Sequence, residues 1–142
     1  KFEWKKVYPA LLATAEVNEL NPFDGIIMQY SNPLTGGHVM QTMGASMQLL
    51  PKSFKGKAHK HTGSFVYQCA KGSGYSIIDG TRFDWKERDI FCVPSWAWHE
   101  HHNNSETEDA CLFSFNDLPV IEKLGFYQDK IYTENNGHQT II

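Results

Sequence analysis

The chain has 142 residues, a net charge of −3 at pH 7 and 41% hydrophobic residues, a length and composition typical of one globular domain. The negative charge argues against nucleic acid as a partner, and the lack of a long apolar run or visible signal peptide argues against a membrane protein. We therefore expect a cytoplasmic protein with three reduced cysteines. Because it begins at Lys1 rather than Met, a trimmed, processed or incomplete product is expected.

Residues 1–44 are predicted to form an N-terminal arm. It contains a helical segment at 8–16, with Pro9 near the first turn, and a short strand at 26–30 between turn signals such as Asp24-Gly25. An isolated arm could not bury its own aromatic rings, so we expect it to dock on a second copy or a second domain. These aromatic residues are Phe2, Trp4, Tyr8 and Phe23.

Residues 45–116 are predicted to form a β core. Short β-like runs alternate with turn residues, and Asp79-Gly80 is a strong hairpin signal. The predicted strands are 45–50, 64–70, 74–78, 81–85, 90–93, 98–103 and 110–115. This pattern favours an all-β barrel or sandwich over a parallel α/β sheet. A short helix at 117–124 and a tail to residue 142 complete a single domain, 1–142.

Histidines carry the clearest chemical signal. His59 and His61 are two residues apart, so on a strand they share a face with Cα atoms about 7 Å apart. Such a pair can converge on one metal ion, and His99 could add a third nitrogen from a neighbouring strand. His101 is in phase with His99 and could lie behind the ligands. The alternative for any single histidine is a hydrogen-bonded structural role, which we expect for His38 and His138.

Two segments resemble the cupin motifs. His59-Lys60-His61 with Gly72 is similar to the first motif, and the segment 94–103, with His99 and Asn103, is similar to the second. Two departures are visible: Ser64 or Phe65 stands where cupins have Glu, and Trp96 replaces a Gly. The resemblance implies the cupin double-stranded β-helix, a jelly-roll barrel.

Further stretches resemble one branch of the cupins, the gentisate 1,2-dioxygenase family with its salicylate and 1-hydroxy-2-naphthoate dioxygenases. They are 32–37, 59–67, 78–83, 94–101 and 134–139. Members of this family carry two cupin domains, and this chain looks like the C-terminal one alone. The best-described catalytic iron of the family lies in the N-terminal cupin, although some members also hold metal in the second.

The resemblance implies Fe(II) held by His59, His61 and His99, and extradiol-type cleavage by O2 of a hydroxylated aromatic carboxylate such as gentisate. Without the cupin Glu, three neutral imidazoles leave the metal charge at +2, which favours an anionic chelating substrate. Two further residues are catalytic candidates: His101 for a phenolate or a water, and Arg82 for the substrate carboxylate. The candidate substrate-binding residues are Trp96, Trp98, Tyr67, Gln48 and Gln68.

Two alternatives remain open at the level of the sequence. The first is a non-catalytic structural or oligomerising cupin domain of a two-cupin dioxygenase, whose aromatic arm and Trp residues contact the partner domain. The second is a binding or isomerase module with Zn(II) or Mn(II), of which the Mn(II) version is weakened by the missing Glu. A homo-oligomer or docking to a second cupin domain is expected in either case.

Overall fold

The computed structural model describes residues 1–142 and contains ten β-strands, two α-helices and one 3₁₀ turn. The helices are α1 (Trp4–Val17) and α2 (Leu118–Lys123), and the 3₁₀ turn is Asn135–Gly137. The strands are β1 (Ile26–Gln29), β2 (Gly44–Leu50), β3 (His59–His61), β4 (Phe65–Lys71), β5 (Ser73–Ile78), β6 (Thr81–Lys86), β7 (Ile90–Val93), β8 (His99–His102), β9 (Ala110–Asn116) and β10 (Asp129–Ile131). No helix has the length and apolar character needed to cross a membrane.

The strands form two five-stranded sheets with antiparallel neighbours, which confirms the predicted all-β fold. One sheet has the order β1-β2-β9-β4-β7, and the other has the order β10-β3-β8-β5-β6. The main core combines residues of both sheets, among them Leu112 of β9, Tyr67 of β4 and Trp85 of β6. The two sheets are therefore the two layers of a jelly roll, with apolar side chains between them.

Inward-facing residues change character along β2 and β9. At one end of these paired strands, Leu50 and Leu112 are fully buried in the core. Towards the other end, the same faces carry Gln48 on β2 and the directly paired Ser46 and Ser114, whose hydroxyls are 2.8 Å apart. Because side chains alternate along a strand, this sequence pattern fills one end with hydrocarbon and leaves a polar cavity at the other.

The N-terminal arm belongs to the core of this domain. Helix α1 buries Val7 and Leu11 in a second apolar cluster with Met47 and Leu49 of β2. The helix begins one turn before the predicted segment, so Pro9 lies inside it. An internal proline removes one backbone hydrogen bond, and the burial of Val7 and Leu11 on one face offsets that cost.

The C-terminal tail covers the second sheet, which the weak sequence signal there did not predict. Strand β10 pairs with β3 so that Asp129 lies opposite His61 and Ile131 lies opposite His59. Further along, the Gln139 side chain accepts a hydrogen bond from the Gly80 backbone and donates one to the carbonyl of Ile77. The tail therefore supports the strand that carries two of the candidate metal ligands.

Candidate metal centre

Three histidine side chains meet at the cavity end of the second sheet. His59 and His61 lie on the same face of β3, and His59 is the register partner of His99 on β8. One ligand atom from each of the three lies within 4.8 Å of the other two. The ring centres of His59 and His99 are 4.5 Å apart, and those of His61 and His99 are 4.9 Å apart. The structure thus brings together the three residues that were predicted from the sequence as metal ligands.

Backbone hydrogen bonds orient two of these rings. The Nδ1 of His99 donates to the carbonyl of Ala97 at 3.0 Å, and the Nδ1 of His61 donates to the carbonyl of Thr62 at 3.1 Å. A carbonyl oxygen can only accept, so these contacts assign the proton to Nδ1 and leave a lone pair on each Nε2. Such a bond on the remote nitrogen is typical of metal-ligating histidines.

Burial keeps the three imidazoles neutral, as metal ligation requires. Desolvation, assisted by the neighbouring histidines, lowers the pKa of His59 to about 3 and that of His99 to about 3. Burial also lowers the pKa of His61. Three converging neutral imidazoles form a donor set that suits a divalent transition metal such as iron, zinc, copper or nickel. The residues present therefore fit a metal ion of this class.

The centre opens into a cavity of about 530 Å³, which is large enough for a small aromatic molecule. Apolar rings contribute to its wall through Phe65 and Tyr67, and amides contribute through Gln48 and Asn116. Its carboxylates are Asp24 and Asp129, and no lysine or arginine lines it. An anion that enters would therefore find histidines as the only basic side chains in the wall.

Asp24 is a site residue that the sequence did not reveal. Its Oδ1 lies 4.0 Å from the Nε2 of His59 and accepts a 2.7 Å hydrogen bond from the Gln48 amide. Burial raises the pKa of Asp24 to about 6, although the hydrogen bond from Gln48 opposes the shift. In the sequence, Asp24-Gly25 is an ordinary turn signal. The pairing of β1 with β2 and the stacking of Phe23 on His59 bring this turn to the histidines.

Among the other predicted site residues, Tyr67 and Gln48 line the cavity. His101 is fully buried behind His99, with ring centres 5.7 Å apart. Its Nδ1 lies 2.7 Å from the Ser76 hydroxyl, and its Nε2 has no hydrogen-bond partner. His101 therefore contacts the metal-ligand region from the core side and is not part of the cavity wall.

The remaining four predicted residues lie away from the three histidines. Trp96 and Trp98 flank the Lys60 ammonium, each with its ring centre 4.6 Å from that nitrogen. Because Lys60 alternates with His59 and His61, this cluster lies on the opposite face of β3. Two more residues are on outer surfaces: Arg82 pairs with Asp84 at 2.6 Å and covers the Tyr75 ring, and Gln68 is an exposed residue in the groove beside Trp4 and Phe113.

A second polar cluster occupies the other face of β8. Glu100 and His102 alternate with His99 and His101, and the His102 Nε2 is 2.9 Å from the buried Glu100 carboxylate. The other Glu100 oxygen accepts a hydrogen bond from the backbone of Gln139. His138, also from the tail, lies 3.8 Å from Glu100. These contacts attach the tail to β8. His38, at the arm, is likewise hydrogen bonded, to Glu122 and Gln29.

Comparisons with known proteins agree with this architecture. Residues 45–116 match the model of the cupin domain family. Two curated relatives are a 5-aminosalicylate 1,2-dioxygenase from Comamonas sp, 40% identical over 99% of this chain, and gentisate 1,2 dioxygenase 1 from Aquipseudomonas alcaligenes, 38% identical over 90%. The chain spans 37% and 36% of their lengths, respectively.

A solved structure has the same fold. Salicylate 1,2-dioxygenase from Pseudoaminobacter salicylatoxidans, determined as adducts with gentisate, superposes with a TM-score of 0.81 at 30% identity. The superposition covers 94% of this chain and 37% of that one. The two-sheet jelly roll, the histidine cluster and the family match over residues 45–116 lead to the same conclusion. This chain belongs to the cupin domain family, and its relatives include gentisate-type 1,2-dioxygenases.

Proposed function

We propose that this chain is a dioxygenase domain that holds Fe(II) on His59, His61 and His99 and uses O2 to cleave the ring of a hydroxylated aromatic carboxylate of the gentisate type. The observation that carries the proposal is the convergence of three neutral imidazoles, two of which, His59 and His61, line a cavity of about 530 Å³. The names of the relatives support the substrate class, because they combine salicylate-like acids with 1,2-dioxygenase activity.

The chain's own residues would bind the metal ion, orient its ligands and shield the substrate from water. The hydrogen bonds on the Nδ1 atoms of His61 and His99 fix the direction of the ligand lone pairs. The rings of Phe65 and Tyr67 supply an apolar surface for a flat substrate and exclude water from it. When bound, Fe(II) would supply the one-electron chemistry that lets O2 react with an aromatic ring.

The negative charge of the cavity wall affects when an anionic substrate can bind. A benzoate-like anion entering the cavity meets Asp24 and Asp129, and histidines are the only basic side chains in the wall. A bound metal ion would then be the main positive charge that stabilises its carboxylate. We therefore expect the aromatic acid to bind to the metal-loaded chain and not to the metal-free one.

The second candidate is a metal-binding cupin domain without catalysis of its own, acting within a larger protein. Two observations favour it. The chain spans only 37% of the length of the salicylate dioxygenase that it resembles, and the cavity contains no arginine or lysine for a substrate carboxylate. Under this proposal the metal would stabilise the fold, and the ring chemistry would take place elsewhere.

Oxygen uptake separates the two candidates. The purified chain would be loaded anaerobically with Fe(II), its iron content measured, and O2 consumption followed with gentisate, salicylate or 5-aminosalicylate. His59→Ala removes a ligand, and Lys60→Ala is a matched control on the opposite face of the same strand. The dioxygenase proposal expects one O2 consumed per ring opened, with both atoms of ¹⁸O2 in the product, lost in His59→Ala only.

Two results would contradict the proposal. An iron-loaded chain that consumes no O2 with any of the three acids would favour the non-catalytic domain. A wild-type chain that retains no more iron than His59→Ala would reject the metal centre itself.

A further inference from the structure

The cupin carboxylate is missing from the strand that normally supplies it. Of the two residues at that position, Ser64 is exposed and carries no charge, and Phe65 packs its ring against His61 with centres 4.8 Å apart. Strands β3 and β8 therefore contribute imidazoles to the centre, and neither these strands nor β4 contributes a carboxylate to it. A divalent ion bound there by three neutral ligands would keep its full charge.

A different part of the chain brings a carboxylate to the same place. The turn before β1 is closed by reciprocal backbone hydrogen bonds of 2.9 Å between Asn21 and Gly25. Inside it, the Asn21 side-chain oxygen accepts hydrogen bonds from the backbone amides of Phe23 and Asp24. The Phe23 ring stacks on His59 with an interplanar angle of 7°. Hydrogen bonds thus stabilise the turn internally, and the stacked Phe23 ring attaches it to the candidate ligand His59.

The position of the Asp24 carboxylate is compatible with ligation. Its Oδ1 is 4.0 Å from the Nε2 of His59. Bonds from a first-row cation to N or O ligands are about 2.0–2.2 Å, so two ligand atoms of one ion lie at most about 4.4 Å apart. Asp24, His59 and His61 line the same cavity. One ion can therefore contact Asp24 and His59 without a change in the backbone. Asp24 lies outside the group of ligand atoms that are all within 4.8 Å of one another, so binding the same ion as His61 and His99 requires its side chain to rotate.

Gln48 supplies independent support. Its amide nitrogen donates to Oδ1 of Asp24 at 2.7 Å, in the way that outer residues commonly hold a ligating carboxylate. The Gln48 side chain is 1% exposed and lines the cavity, yet its amide oxygen has no hydrogen-bond partner. A buried unpaired oxygen costs free energy unless a donor occupies the cavity. A metal-bound water or a substrate hydroxyl is a donor of the right kind.

We propose that Asp24 is the carboxylate ligand of this metal centre and replaces, from the N-terminal arm, the Glu that the cupin motif lacks. The inference rests on the proposed metal binding by the triad. The ion would then be held by three imidazoles and one carboxylate, which lowers the charge of the centre from +2 to +1. Gln48 is the residue that positions the carboxylate.

The test measures metal binding, not turnover. Co²⁺ would be titrated into the wild type and into Asp24→Asn, with affinity from calorimetry and ligand geometry from the visible absorption of Co²⁺. Asn is isosteric and removes a buried charge, so metal-free Asp24→Asn should fold at least as well as the wild type. The proposal expects Co²⁺ affinity to fall tenfold or more and the absorption spectrum to change.

Asp129→Asn is the matched control. Asp129 also lines the cavity and carries the same charge, but it lies on β10 opposite His61 and, unlike Asp24, has no carboxylate oxygen within 4.0 Å of a triad nitrogen. Removing a non-ligating charge near the surface should weaken Co²⁺ binding by less than about threefold and leave the spectrum unchanged. Asp24→Ser provides the same comparison if Asn alters the turn.

The outcomes distinguish this inference from the proposed function. Wild-type affinity and spectrum in both Asp24→Asn and Asp24→Ser would overturn the role of Asp24 and leave the histidine centre intact. Equal losses in Asp24→Asn and Asp129→Asn would also overturn it, because only the total charge would then matter. If the wild type binds no more Co²⁺ than His59→Ala, both proposals fail.

Discussion

Gly25 is the position where a single methyl group should disturb the turn that carries Asp24. The residue has φ +69°, and a Cβ there would overlap the carbonyl oxygen of Leu49, which is backbone and cannot rotate away. The left-handed conformation costs a non-glycine residue about 1–2 kcal/mol. Relieving the overlap also strains the two Asn21–Gly25 hydrogen bonds, each worth about 1 kcal/mol. We therefore expect Gly25→Ala to lower the free energy of unfolding by about 3–4 kcal/mol.

Gly36→Ala is the matched control, because Gly36 has nearly the same φ, +70°, with nothing within 4 Å of the added Cβ. It should cost only the conformational part, about 1–2 kcal/mol. Urea denaturation at unchanged m-value would measure both variants, and the difference of about 2 kcal/mol should also lower the melting temperature by several degrees. Equal destabilisation of the two variants would refute the reasoning, since it would mean that the approach to Leu49 has no energetic consequence.

Three further predictions concern the rest of the domain. His102→Ala removes the 2.9 Å partner of the buried Glu100 and should cost about 3 kcal/mol, whereas His138→Ala, at 3.8 Å, should cost less than about 1 kcal/mol; thermal melts of the two variants test this. Leu11→Ala empties a fully buried site under α1 and should cost about 2–5 kcal/mol by urea denaturation, and a smaller loss would mean that the arm packs loosely. In a thiol titration, the native chain should react rapidly at the exposed Cys92 alone and at three thiols only in denaturant; three rapid native reactions would contradict the burial of the other two.

The histidine triad could be predicted because its determinants are local. His59 and His61 share a face for any strand that contains them, and the turn residues before His99 mark the start of another strand. The β-strands were predictable for the same reason, since alternation and turn signals are properties of short windows. The β5–β6 hairpin around Asp79-Gly80 has the predicted register, with Ile78 opposite Thr81.

Other features depend on register between distant strands, which no short window encodes. Trp98 is adjacent to His99 in sequence, but its ring packs against Tyr132 and Lys60 on the outer face, because neighbouring residues point to opposite sides of the sheet. Arg82 similarly lies on a strand whose outward residues pair with one another. Their aromatic and cationic character was visible in the sequence, but the face to which they belong was not.

The alternation of side chains along β2 also explains why the N-terminal arm is an integral part of the domain. Its helix completes the apolar cluster on the outside of β2, while its turn brings Asp24 to the inside, beside Gln48 of the same strand. One strand therefore couples the packing of the arm to the polar wall of the cavity. If Asp24 completes the metal centre, removal of the arm would take a ligand from the site and would also take part of the core from the domain. A chain that begins at residue 45 would then keep three histidines and lose the geometry that surrounds them.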